Sequence, residues 1–137
     1  MRILALDHGT KRMGIAISDE LGMIAQPLEF IPAEPFAMLL ERLKEIIRSK
    51  QVKLILVGMP RNMNGSYGPA ALKVQEFVAL LKDAVTIPIQ TLDERLTSVQ
   101  AHRLLTEAEV GGRQRKGKVD KSAAAILLQS YLDGRSE

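Results

Sequence analysis

The sequence predicts an α/β fold, with a five-stranded mixed sheet in strand order 3-2-1-4-5 flanked by helices. Three observations carry that expectation. Two apolar runs, Ile3–Leu6 and Met13–Ile17, sit either side of a glycine turn and read as an antiparallel hairpin. Downstream, strand-like and helix-like periods alternate, as right-handed crossovers between parallel strands require. One run, Lys53-Leu54-Ile55-Leu56-Val57-Gly58, is continuously apolar, the mark of a strand covered on both faces.

Taken in order, residues 2–7 and 12–18 form the hairpin, joined through Gly9-Thr10-Lys11. Residues 22–31 read as a third strand, and Pro27 suits it to an edge. Pro35 opens a helix at its favoured first position. Phe36, Leu39, Leu40, Leu43, Ile46 and Ile47 form its apolar stripe, opposite Glu41, Arg42, Lys44 and Glu45. After the apolar run at 53–58 comes a loop, Met59 to Gly68, dense in Pro, Asn and Gly. Pro69 starts a second helix to about Asp83, with Leu72, Phe77, Leu80 and Leu81 as its buried stripe. Ile87 to Leu92 is a fifth strand ending in Asp93-Glu94-Arg95. Thr97 and Gln100 make a capping box for a third helix to about Glu109. The basic stretch Gly111–Val119 is expected to be a mobile, Gly-flanked loop, and Asp120 to lead into an Ala-rich last helix ending near Asp133. The order βββαβαβαα gives the ribonuclease H-like arrangement, which gathers the ends of strands 1, 4 and 5.

A length of 137 residues fits one domain spanning 1–137 with a moderate core. The absence of cysteine excludes a disulfide scaffold and any thiolate metal site, and suits a reducing cytoplasm. No apolar run approaches membrane-spanning length. The net charge of +3 is modest, but Arg113, Arg115, Lys116, Lys118 and Lys121 crowd one segment where Asp120 is the sole acid.

Asp7 stands where the first strand meets solvent, a costly place for a carboxylate without a partner. Glu94 follows the fifth strand and Asp120 opens the last helix, so both reach the same crevice. Asp93 is an alternative to Glu94, or a supporting residue. Ser122, Ala123, Ala124 and Ala125 give that helix a small face, which lets it approach the sheet closely. Clustered carboxylates raise one another's pKa, a penalty that Mg²⁺ or Mn²⁺ relieves. Two such ions about 4 Å apart activate water and stabilise the leaving oxygen in phosphodiester hydrolysis. Arg113, Arg115, Lys116 and Lys118 are candidate contacts to a nucleic-acid backbone, with Lys11, Arg12 and Arg95 adding cations near the acids. Tyr67 is a lone candidate for base stacking, and 4% aromatic content argues against an extended stacking platform. His8 reads as polar surface, and His102 lies in the middle of the third helix.

Four blocks resemble the YqgF/RuvX family of Holliday junction resolvases and pre-16S rRNA nucleases. They are Leu6-Asp7-His8-Gly9-Thr10-Lys11-Arg12-Met13-Gly14-Ile15-Ala16-Ile17-Ser18-Asp19, Val57–Ser66, Asp93-Glu94-Arg95-Leu96-Thr97-Ser98 and Asp120–Gln129. The resemblance implies a ribonuclease H-like nuclease whose acidic triad falls on Asp7, Glu94 and Asp120. It also implies a structured RNA substrate, the 5′ end of precursor 16S rRNA. Three other expectations stand beside it. The first is a resolvase of branched DNA, which needs a homodimer rather than a monomer. The second is a nucleic-acid-binding or ribosome-assembly module needing no metal. The third follows from the Asp7–Lys11 hairpin, which also resembles the phosphate loop of actin-like ATPases.

Overall fold

The computed structural model describes residues 1–9, 11–62, 64–96 and 113–135, the side chains of Leu96 and of 113–122 excepted. Five strands, β1 (Arg2–His8), β2 (Arg12–Ser18), β3 (Ala25–Pro32), β4 (Val52–Met59) and β5 (Ile89–Asp93), form one sheet in the order β3-β2-β1-β4-β5. β1 pairs antiparallel with β2 and parallel with β4. The β2–β3 pair is antiparallel and the β4–β5 pair parallel. The hairpin turn closes with Gly9 N–H donating to Arg12 C=O at 3.1 Å. A Cβ on Gly9 would lie 2.5 Å from that same oxygen, so the turn requires glycine.

Strand alternation sorts the sheet into two faces. Leu4, Leu6, Met13, Ile15, Ile55 and Val57 meet α1 (Phe36–Lys50) and α2 (Pro69–Ala84), which contribute Leu39, Leu43, Ile46, Val74, Phe77 and Leu81. Ile3, Ala5, Ala16, Leu54 and Leu56 meet Ala124, Leu127, Leu128 and Leu132 of the last described helix, α3 (Arg113–Arg135). Burying each leucine or isoleucine side chain is worth roughly 1.5–3 kcal/mol, so these two layers supply the main cohesion. β4 is buried on both faces from Leu54 to Met59, as its continuous apolar run requires.

Five expectations are corrected. Pro35 is the extended N-cap of α1 rather than its first helical residue, and β3 begins at Ala25 rather than at 22. On α2 the buried stripe is Ala71, Val74, Phe77, Val78 and Leu81, while Leu72 and Leu80 face solvent. The smaller side chains at 71 and 74 let α2 lie close to the sheet. Arg113, Arg115, Lys116 and Lys118 stand on a helix rather than a loop, because α3 starts at Arg113, so Asp120 is inside the helix rather than at its first residue. The Thr97–Gln100 cap, the helix expected to reach Glu109, His102 and Gly111 lie outside the described residues.

Candidate active site

The parallel strands β1, β4 and β5 end at one edge of the sheet, where Asp7, Asp93 and Glu94 stand. Leu6 pairs with Val57 and Met59 with Asp93, so Asp7, Gly58 and Leu92 form one row across the three strands. Alternation after Ile3 and Ala5 puts Asp7, half-buried, on the α3 face. Its register partner on β2 is Gly14, and its neighbour on the other side is Gly58. Both flanking positions therefore lack side chains on this face, which leaves a trough around the carboxylate.

Three side chains lean into that trough. From β3, the Phe30 ring lies across Gly14, with Cε1 3.2 Å from where a Cβ would stand. Beyond β5, a short 3-10 turn (Glu94–Leu96) swings Glu94 back over the sheet. Its Oε2 is 2.8 Å from the Cβ position of Gly58, and Leu127 Cδ2 is 3.1 Å from the same point. Glu94 is only 5% exposed, one of two buried polar residues among the described ones. The other, Ser18, belongs to the opposite end of the sheet, where its Oγ accepts the Ile3 N–H at 2.8 Å.

Asp93 is engaged differently. Its Oδ2 accepts from Arg95 Nη2 at 2.8 Å and from Arg61 Nη1 at 3.2 Å, and its Oδ1 accepts the Arg95 backbone N–H at 2.9 Å. The hydrogen bonds from Arg95, with the Arg61 charge added, hold the Asp93 carboxyl below the usual carboxylate range. Reciprocally, Asp93 raises the Arg95 pKa, so this guanidinium is committed to a protein partner. Arg61 also donates to the Gly65 C=O, through Nε at 2.9 Å and through Nη2. It thereby ties the loop after β4 to the end of β5. Two cations thus share one carboxylate beside Glu94.

On the other side of the trough, Arg12 lies on the Asp7 face with its guanidinium 4.3 Å from the Phe30 ring centroid. Lys11 is exposed at the hairpin tip. His8, expected on the surface, points to the opposite face of the sheet, where it packs on Phe77 with ring centroids 5.2 Å apart. Burial there pushes its pKa down.

α3 runs antiparallel to β1. Leu127 meets Gly58 at the carboxyl edge of the sheet. Gln129 reaches the start of β3, where its side chain accepts the Ala25 N–H at 2.9 Å and donates to the Met23 C=O at 3.0 Å. Asp120 stands seven residues ahead of Leu127, about two helical turns toward the start of α3. The structure therefore brings Asp7 and Glu94 together on one face. It places only the backbone of Asp120, and of the basic residues at 113, 115, 116 and 118. Among the described residues no group of three His, Cys, Asp or Glu side chains is assembled for a metal.

Sequence reasoning missed Arg61, Phe30 and the spacing role of Gly14 and Gly58. Gly14 and Gly58 stand in the sequence as ordinary strand glycines, and their meaning lies in the cross-strand neighbour. The family model of RuvX, described as Holliday junction resolvase, matches residues 1–134. A candidate pre-16S rRNA nuclease of Halothermothrix orenii is 47% identical over 133 residues, covering 97% of this chain and 95% of that protein. Another, of Thermoanaerobacter pseudethanolicus, is 48% identical over 136 residues, with 98% of each covered. Among solved structures, T. thermophilus RuvC in complex with a Holliday junction substrate superposes with a TM-score of 0.64 at 16% identity. That match spans 99% of this chain and 96% of the other, and it shows a shared fold.

Proposed function

The chain belongs to the RuvX family of Holliday junction resolvase-type proteins, and from that membership we propose that it is a metal-dependent nuclease maturing the 5′ end of precursor 16S rRNA. The names of its relatives support the substrate. One observation of this molecule carries the chemistry. A buried carboxylate, Glu94, closes over Gly58 on the sheet face that bears Asp7.

The donor set fits a hard cation. Asp7, Glu94 and Asp120 offer carboxylate oxygens only, the ligands that Mg²⁺ or Mn²⁺ prefers over sulfur or imidazole. These three residues would hold one or two ions. When bound, such an ion polarises a phosphoryl oxygen and lowers the pKa of a bound water. The chain's own groups do the rest. Arg12, Lys11 and the cations at 113, 115, 116 and 118 draw in the phosphate backbone. Arg61 and Arg95 fix Asp93, which sets the path of the chain into Glu94. Among the described residues no helix is long and apolar enough to cross a membrane, and a role in rRNA processing supports a cytoplasmic location.

The family's description favours a second reading, resolution of four-way DNA junctions. That reaction needs two active sites and hence a homodimer, whereas trimming rRNA is open to a monomer. Parallel cleavage assays on precursor 16S rRNA and on four-way DNA, with Mn²⁺ or with chelator, separate the readings. We expect metal-dependent shortening of the rRNA. Symmetric cutting of the junction with intact rRNA would favour the resolvase. Failure to cut either would leave a nucleic-acid-binding module.

A further inference from the structure

The loop between β4 and α2 carries a feature that the acids do not explain. Tyr67 is 50% exposed, the one aromatic among the exposed large apolar residues described. Its ring rests on the Arg61 guanidinium, 4.5 Å from the ring centroid. Arg61 is in turn bound to the Gly65 C=O and to Asp93, the residue immediately before Glu94.

The loop itself is fastened. Asn62 N–H donates to the Ser66 C=O at 2.9 Å, and Gly65, at φ +89°, donates to the Asn62 C=O at 2.8 Å. Asn64 Oδ1 accepts both the Ser66 N–H at 3.0 Å and the Ser66 hydroxyl at 2.6 Å. A half-exposed aromatic on an anchored loop pays little entropy to stack, and an underlying cation strengthens it as a platform.

We propose that Tyr67 stacks one unpaired base of the substrate beside the phosphodiester that is cut, with Arg61 as the positioning residue beneath the ring. This deepens the nuclease reading and rests on it for the nucleic-acid class of the ligand. It names the substrate as a strand with at least one unstacked nucleotide at the cut. A continuous duplex keeps its bases stacked on each other and offers no free base face.

The test uses 12-nucleotide RNAs carrying 2-aminopurine at one position each, alone or annealed to their complement, in chelator so that nothing is cleaved. Wild type and Tyr67→Phe should quench the single strands at one register. Tyr67→Leu and Arg61→Gln should lose most of that quench. Single-strand affinity should fall about tenfold in Tyr67→Leu, within the range of one base–aromatic stack, with duplex affinity unchanged. Undiminished quenching in Tyr67→Leu would overturn the proposal, and so would equal loss on single strand and duplex. Quenching by a wild type that cuts no substrate in Mn²⁺ would uphold the stacking step and sink the nuclease reading instead.

Discussion

A methyl group at position 58 would stand 2.8 Å from Glu94 Oε2 and 3.1 Å from Leu127 Cδ2, so Gly58→Ala must displace one of them. Leu127 is packed in the second core layer, whereas Glu94 meets position 58 with the far end of its side chain, so the carboxylate is the group that shifts. We expect about tenfold or greater loss of kcat/KM, with a stability cost of about 1–3 kcal/mol in urea unfolding, the usual range for overpacking. Wild-type turnover in this variant would mean that the position of Glu94 over the sheet is immaterial. The carboxylates make a sharper case. Asp7→Asn, Glu94→Gln and Asp120→Asn keep side-chain shape and remove ligand charge. Each should cost at least about a hundredfold in metal-dependent cleavage, equivalent to about 3 kcal/mol of lost charge stabilisation, with the fold retained by circular dichroism. An active Asp7→Asn protein would defeat the nuclease assignment.

Helix α3 is where sequence and structure part most. The basic stretch Gly111–Val119 reads as a Gly-flanked loop, yet the helix continues through Gly117. A mid-helix glycine costs about 1 kcal/mol against alanine, and Arg113, Gln114, Arg115, Lys116 and Lys118 are good helix formers that offset it. The cations therefore ride on a regular scaffold. Replacing Arg113, Arg115, Lys116 and Lys118 with Ala should weaken nucleic-acid binding and flatten the log–log salt slope by about 3 units. An unchanged slope would return the segment to ordinary solvated surface. The strands were legible because their apolar runs and turns are local signals. The strand-end positions of Asp7 and Glu94 followed directly from them. The buried stripe of α2 departs from expectation because phase outweighs size: Leu72 and Leu80 are larger than Ala71 and Val74 but lie off the buried face. The trough around Asp7 was illegible because it consists of missing side chains on two neighbouring strands. Only the register Asp7–Gly14 and the row through Gly58 reveal it.

Across the protein as a unit, ligand binding and folding are linked. A cation that binds only the native state stabilises it by about 2.7 kcal/mol at a hundredfold excess over Kd. For a chain of this size that corresponds to a rise in melting temperature of roughly 9 °C. Millimolar Mg²⁺ or Mn²⁺ should produce that rise in wild type and much less in Asp7→Asn or Asp120→Asn. Equal shifts in all three would mean that these acids do not form the site. The two core layers also differ in when they can form. α1 and α2 lie between the strands in sequence, so their layer can close as the sheet is made. The other face, with Ile3, Ala5, Ala16, Leu54 and Leu56, has only α3 to cover it among the described residues. That helix is synthesised after every strand. A nascent chain lacking it exposes a greasy sheet and carries no Asp120; on the role proposed for that residue, a half-made copy is sticky yet unable to cut the RNA around the ribosome that is making it.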